Sequence, residues 1–374
     1  MKDVNQALIN FIEVSDNSDA EFKRLIEIIE KLEILQNKEE VQILFQLISK
    51  IADNHYRPSD FFDKLEKIFH YIIKDPPSLI SHLILDYTKY NKRVLYLLLE
   101  KKLIKPDESF LETYLLSKPL YDTFSMKTLS KYQQYYYLYP VLKEYLEEQN
   151  QKQIEKEITE LFEEDITNFE KKCQIGENSS YICSLFRSDS IEEFVSYVNR
   201  TNLSLTSTIT HSIFETNSIF IHKEPTLIEY AAFFGSIQII KYLQNNDVPL
   251  TFPLWNYVVH SNNAELINFL EENNVIPQQN IANEESYDDV LSESIKCHHN
   301  DISDYINDNL REQENDQIQF YDKFSDAISN SLNFNFFPSE VGYIICRSRD
   351  EKMLDLYNLR FLFTSFTIPS SVTA

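Results

Sequence analysis

Glycine is scarce: Gly176, Gly235 and Gly342 are the only three in 374 residues. Phosphate-cradling loops need several backbone positions without a side chain, so a Rossmann or P-loop nucleotide site is not expected. The same scarcity argues against an all-β chain with many tight turns. Positive charge is also short, with 35 Lys and Arg against 59 Asp and Glu, and the formal charge of −24 repels phosphate backbones and anionic headgroups. Nucleic acid is not an expected partner, and the basic group Lys101, Lys102 and Lys105 reads as a solvated helix end. No apolar run reaches the roughly twenty residues of a membrane span. The opening MKDVNQALINFIEVSDNSD lacks the apolar centre of a signal peptide. The expectation is a soluble, cytoplasmic protein without membrane contact, in which the acceptor tripeptides at Asn178, Asn199 and Asn202 go unglycosylated. Cys173, Cys183, Cys297 and Cys346 show no paired spacing, which suits reduced thiols.

What is abundant forms helix. Leu, Ile, Glu, Lys and Gln are plentiful and apolar residues recur at three-and-four spacing, so the expected fold is all-α. Asp19 can cap a helix carrying Phe22, Leu25, Ile26, Ile29 and Leu32. Val41, Leu44, Phe45, Ile48 and Ile51 line the next, and Ser59 is placed to cap a third with Phe62, Leu65, Phe69 and Ile72. Asp75-Pro76-Pro77 stops that helix, and Ser78 opens another with Leu79, His82, Leu83 and Asp86. Val94 to Leu99, Asp107 to Leu116, Ser130 to Glu148 and Gln151 to Phe169 follow with short polar connections, the pattern of stacked antiparallel pairs. The run Tyr135-Tyr136-Tyr137-Leu138-Tyr139 puts amphipathic rings on every side of a helix. Packing between helices with the hydroxyls at the rim is the expected use, and a partner surface the alternative. A shift near Cys173 sets the expected domains: helical over 1–172, repeats over 173–360, a tail over 361–374.

A unit recurs in the second region. Its best copy is Glu224-Pro225-Thr226-Leu227-Ile228-Glu229-Tyr230-Ala231-Ala232-Phe233-Phe234-Gly235 followed by Ile239-Ile240-Lys241-Tyr242-Leu243. At an offset of 27 stand Trp255-Asn256-Tyr257-Val258-Val259 and Leu266-Ile267-Asn268-Phe269-Leu270. Upstream, at 45, stand Ser184-Leu185-Phe186-Arg187 and Phe194-Val195-Ser196-Tyr197-Val198; downstream, at 36, stand Ser294-Ile295-Lys296 and Ile302-Ser303-Asp304-Tyr305-Ile306. A weaker echo at Tyr343-Ile344-Ile345 and Met353-Leu354-Asp355-Leu356 is expected to cap the array, giving four clear units and one weak one. Small Ala231 and Ala232 let two helices approach, Gly235 lets the backbone reverse, and Ile239, Ile240 and Leu243 fill the gap to the next pair.

This unit resembles an ankyrin repeat, with Thr226, Ala231, Ala232, Gly235, Ile239, Ile240 and Leu243 in the places of that pattern's threonine, paired alanines, turn glycine and second-helix apolar residues. The words SIFETNS from Ser212, EPTLIEYAAFFGSIQIIKYL from Glu224 and SIKCHHNDISDYI from Ser294 look like a large family of ankyrin-repeat proteins of parasitic protists that carry a helical amino-terminal region. The resemblance implies a helix-pair solenoid, a role in protein binding, and no cofactor. Asn202, Asp247 and Asn274 depart from the pattern by replacing its inter-repeat glycine, and are expected to tolerate left-handed backbone. Thr206 to Lys223 is expected to extend as a loop.

Cys297-His298-His299 is the sharpest chemical signal. Neighbouring side chains on a helix point about 100° apart, so three in a row do not close on one ion, and no CxxC or HxxxH accompanies them. No metal is expected. No cysteine has a nucleophile's context, so neither catalytic residues nor a small-molecule substrate is expected. Stacked pairs leave first helices and loop tips on one side, which singles out Glu229, Phe233, Trp255, Asn256 and His260 as partner contacts. Trp255 also aligns with Ile228, a core position. Eleven carboxylates from Glu284 to Asp316, against Lys296 and Arg311, suit a basic partner or a solvated loop. The expected function is a non-enzymatic interaction scaffold or adaptor. The alternative is the substrate-recognition subunit of a ligation or signalling complex whose chemistry lies on another chain.

Overall fold

The computed structural model describes residues 1–15, 18–73, 91–116, 135–221, 223–277, 279–280, 283–284, 286–311 and 317–336. Over these residues the protein is all-α, apart from a two-residue hairpin pairing Gln279–Asn280 with Asn283–Glu284 and a bridge between Thr208 and Thr226. The sequence features at Asp75 to Pro77, Ser78 to Asp86, Cys346, the weak unit at 343–356 and the tail from 361 lie outside the described residues.

The first half is built from α1 (Lys2–Glu13), α2 (Ser18–Lys31), α3 (Lys38–Asn54), α4 (Phe61–Ile72), α5 (Lys92–Glu100), α6 (Glu108–Leu116), α7 (residues 135–142), α8 (Glu148–Phe162) and α9 (Ile166–Ile175). Val4, Ala7, Leu8, Phe11 and Ile12 make α1 amphipathic and bury its inner face. Asn37 caps α3 by accepting from Glu39 and Glu40 N–H at 3.0 and 3.4 Å. Ser59 does not cap the next helix: α4 starts at Phe61 behind Asp60, whose carboxylate instead pairs with Lys64 Nζ at 2.9 Å. The expected helix to Glu148 is interrupted by a 3₁₀ turn at Lys143–Tyr145. The charged stretch after it divides at Glu163, which takes a left-handed conformation, and Asp165 caps α9 through Asn168 N–H at 2.9 Å. Helix α9 runs through the 172/173 composition break and closes at Gly176, φ 73°, where an added Cβ would meet Arg93 Cδ at 2.7 Å. The tyrosine run is interior. Tyr137 donates to Cys173 O at 2.6 Å, Tyr139 to Glu155 Oε1 at 2.8 Å, and Tyr135 stacks on Tyr114 at 4.9 Å.

The second half is a series of helix pairs: α10 (Tyr181–Arg187) with α11 (Ile191–Thr201), α13 (Leu227–Phe233) with α14 (Ile237–Asn245), α15 (Trp255–Val258) with α16 (Ala264–Glu272), and α17 (Tyr287–Lys296) with α18 (Asn300–Asn309). Short α12 (Ser218–Ile221) precedes the second pair, and α19 (Gln317–Ser331) follows the fourth. The acid-rich stretch after Glu284 thus forms helices α17 and α18. First helices touch in series from α10 through α13, α15 and α17 to α19, and α11 lies against α14. Each first helix ends on a residue of positive φ: Asp189 (45°), Gly235 (74°), Asn262 (49°), His298 (61°) and Leu332 (58°). The next N–H then bonds back across the turn, Ser190 to Leu185 O, Ser236 to Ala231 O, His299 to Ser294 O and Asn333 to Ile328 O, at 3.0, 2.9, 3.3 and 3.2 Å. The end of α19 at Leu332 repeats this turn geometry. Asn202, Asp247 and Asn274 close second helices at φ 51°, 63° and 52°. The best unit has a capping box, Thr226 accepting from Glu229 N–H while Glu229 Oε2 accepts from Thr226 N–H at 2.7 Å. Ala231, Ala232, Ile239, Ile240 and Leu243 are all fully buried.

Two apolar cores result, one within each half. Ile213 and Phe214, from the segment before α12, and Leu332 pack into the first, so the second half reaches back and plugs it.

Candidate functional site

The two halves meet where the ends of α1 and α3 face the turns of the third and fourth helix pairs. Helix α3 stops at His55, whose extended backbone turns the chain out while its N–H still bonds Ile51 O at 2.8 Å. Opposite lie His260, just after α15, and the turn Cys297-His298-His299. The left-handed backbone at His298 makes the three consecutive side chains diverge instead of following one helical face. His298 Nε2–H donates to Ser331 O at 3.0 Å, and His299 Nδ1–H donates to Val259 O at 2.6 Å. His55 Nδ1–H donates to Cys297 O at 2.6 Å. A carbonyl only accepts, so these bonds fix the tautomers.

Two groups of metal-competent atoms arise. In the first, Nε2 of His55 and Nε2 of His299 are buried and have no hydrogen-bond partner, and the rings stand edge to face with centroids 4.6 Å apart. Glu13 Oε1 lies 3.5 Å from His55 Nε2 and accepts from Asn262 Nδ2 at 3.0 Å. The three candidate ligand atoms lie within 4.8 Å of one another. In the second group His260 Nε2 bonds Glu293 Oε1 at 2.9 Å, while its Nδ1 faces Asn54 O at 3.1 Å and Cys297 Sγ at 3.2 Å. Glu293 also takes Lys296 Nζ at 2.9 Å. There every nitrogen is already engaged.

Electrostatics separates the groups further. Burial drives the His55 imidazole down to about 4, against the pull of the Cys297 carbonyl, and His298 down to about 3. Burial likewise holds His299 well below the ordinary histidine value. Burial, with the Asp301 charge adding to it, lifts Glu13 to about 7. At Glu293 burial pushes upward, but the hydrogen bond and charge of His260 and the Lys296 ammonium outweigh it and leave the carboxyl at about 2. Burial pushes the Cys297 thiol well above its normal value, so the Cys297–His260 contact holds a neutral thiol and not an activated nucleophile.

The structure places the sequence-derived contact residues largely inside. Trp255 is fully buried and donates Nε1–H to Val275 O at 2.8 Å; Phe233 is buried between Phe220, at 4.6 Å, and the His260 ring, at 4.9 Å. His260 is buried against α3, Glu229 serves the capping box, and Asn256 is half-buried. The face they share is occupied by α3 and α12 of this same chain. A row of partly exposed aromatics runs along the second helices. Tyr197, Tyr242, Phe269 and Tyr305 occupy one equivalent position, five residues before Asn202, Asp247, Asn274 and Leu310. The first three are half-buried and Tyr305 is 36% exposed. Tyr181 stacks beside Tyr197 at 5.5 Å, and the two line a shallow cleft with Glu192, Glu193, Ser196 and Arg200. Around this row the region from Tyr181 to Leu310 carries 18 acidic against 5 basic side chains.

None of the described helices is long and apolar enough to cross a membrane. Comparison with protein-family models, with curated proteins and with solved structures finds no match.

Proposed function

We propose that this protein is a non-enzymatic interaction scaffold in which ankyrin-like helix pairs dock another protein along their outer second helices. The observation that carries this reading is the aromatic row Tyr197, Tyr242, Phe269 and Tyr305, repeated at one position of successive pairs and only partly buried. Large aromatics dominate interface energetics, and a solenoid presents equivalent positions as a continuous strip. The carboxylates around the row favour a basic partner, chiefly through the rate of encounter. The usual inner face is filled by α3 and α12, which moves docking to the outside. The repeated turn at Asp189, Gly235, Asn262, His298 and Leu332 supports the ankyrin-like reading, since the family pattern needs a reversal at that place.

The test is affinity capture from native cytosol with the full chain and with a Tyr242→Ser, Phe269→Ser, Tyr305→Ser variant of unchanged circular dichroism. The expected outcome is loss of specific partners of net positive charge, whose binding to the wild type weakens with salt. An identical partner set for both proteins sinks the proposal.

A further inference from the structure

Glu13, His55 and His299 come from three distant parts of the chain, and each brings an electron pair to the same place. On both imidazoles the only hydrogen is spent on a backbone carbonyl, Cys297 O for His55 and Val259 O for His299, each at 2.6 Å. The nitrogens that remain, Nε2 of His55 and Nε2 of His299, are acceptors buried from water with no donor to satisfy them. Buried polar atoms are rarely left so, because each costs the full desolvation of the group. The third member is the Glu13 carboxyl group, an acceptor in its ionised form. Three acceptors gathered within 4.8 Å call for an electrophile between them.

We infer that Glu13, His55 and His299 bind one divalent transition-metal ion of the zinc class, which clamps the amino-terminal helices to the fourth repeat unit. The ligand chemistry fits: imidazole nitrogen with carboxylate oxygen is a zinc donor set. The surroundings fit as well. Metal-bound histidines nearly always donate their other ring N–H to a carbonyl or carboxylate, which fixes the ring, and both histidines here do so. Asn262 holds Glu13 Oε1 in the same supporting role at 3.0 Å. Ligand atoms about 2.0–2.2 Å from a shared tetrahedral ion stand about 3.3 Å apart. The 3.5 Å between Glu13 Oε1 and His55 Nε2 is already close to that, and the separations to His299 Nε2 lie within 4.8 Å. The side chain of Glu13 is 35% exposed while that of His55 is fully enclosed, so the ion enters from the Glu13 side. The neighbouring His260, Glu293 and Cys297 do not compete, because His260 already spends both nitrogens on Glu293 and on Asn54 and Cys297. Position in the repeat supports the assignment: the places equivalent to His299 are held by Ser190, Ser236, Asn263 and Asn333, so a histidine there exceeds what the turn requires.

The inference does not rest on the docking reading, and its test needs no partner. Full-length protein stripped with a chelator is titrated with Zn²⁺ by calorimetry, and a Co²⁺-loaded sample is examined by visible absorption. The expected result is one Zn²⁺ per chain, a higher melting temperature on loading, and cobalt bands of nitrogen and oxygen ligands without thiolate charge transfer. Glu13→Gln, at the rim and nearly isosteric, keeps the fold and weakens Zn²⁺ binding by at least about 10-fold. His70→Gln, at an exposed histidine, leaves binding unchanged. No stoichiometric binding by the wild type, equal binding by Glu13→Gln, or a thiolate band placing the ion on Cys297 each overturns the assignment.

Discussion

Asp189 joins the first helix pair to the second in a way that a graded set of substitutions can measure. It sits at φ 45°, and its carboxylate accepts from Gln238 N–H at 3.0 Å and Ile239 N–H at 3.1 Å. Those are the second and third residues of α14, whose own flanking Ser236 turns its hydroxyl to Phe186 O instead. The cap of one pair is therefore supplied by the turn of the pair before it. Removing a cap costs about 1–2 kcal/mol, and a non-glycine residue in left-handed backbone costs about 1–2 kcal/mol. Aspartate offsets part of that strain through its short polar side chain, which alanine does not. Asp189→Asn keeps only one of the two acceptor oxygens and also loses the charge facing a helix amino terminus, about 1 kcal/mol together. Asp189→Gly loses the cap but sheds the strain and is expected about 1 kcal/mol below the wild type. Asp189→Ala loses the cap and keeps the strain, and is expected about 2–3 kcal/mol below. The assay is equilibrium urea unfolding followed by fluorescence of Trp255, the single tryptophan, inside the second core. A neutral alanine variant would falsify the cap, and a glycine variant worse than alanine would refute the left-handed turn.

Two other perturbations follow from single buried groups. Trp255→Phe removes the bond to Val275 O and part of a fully buried ring, so unfolding followed by circular dichroism is expected to show a loss of about 2–3 kcal/mol; a loss under about 1 kcal/mol contradicts the packing described. Burial lowers Lys92 to about 7, with Glu215 and Cys173 pulling upward, while an unfolded lysine stays protonated to about 10.4. Between those values the unfolded chain binds the extra proton, so stability rises with pH by up to about 1.4 kcal/mol per unit. The Lys92→Met variant is expected to lose that rise between pH 7 and 9 in urea midpoints, and an unchanged pH slope counts against the burial.

The sequence carried most of the second half because its information is local. The alternation of small, apolar and polar residues around Ala231, Ala232 and Gly235 specifies a tight pair, and Asn202, Asp247 and Asn274 adopt the backbone their chemistry allows. Three helices escaped the pattern, short α12 among them within the stretch Thr206 to Lys223 expected as a loop. In α1 polar Asn5 stands on the buried side with no partner for its amide, which breaks the apolar stripe. In α19 the buried Phe324, Ala327 and Ile328 form a short face between acid- and asparagine-rich flanks. Ile213 and Phe214 escaped for a different reason. They lie in an irregular segment and earn burial only by entering the first core, a long-range contact that periodicity does not encode.

The candidate metal centre was hidden for the same reason and exposed by a related clue. Of Cys297, His298 and His299 only His299 belongs to it, so the helical argument against three adjacent ligands stands while the conclusion of no site does not follow. The partners that matter are Glu13 and His55, more than 240 residues away in sequence, and no spacing rule spans that distance. What the sequence does hold is a misfit within an otherwise regular series. Four of the five pair turns are followed by serine or asparagine, which suits a helix start, and one by histidine. A left-handed His298 and a buried, neutral His299 are both less favourable there than the residues of the other units. A repeat tolerates such a departure where something else is gained, so the odd member of a series is the place to look for a ligand.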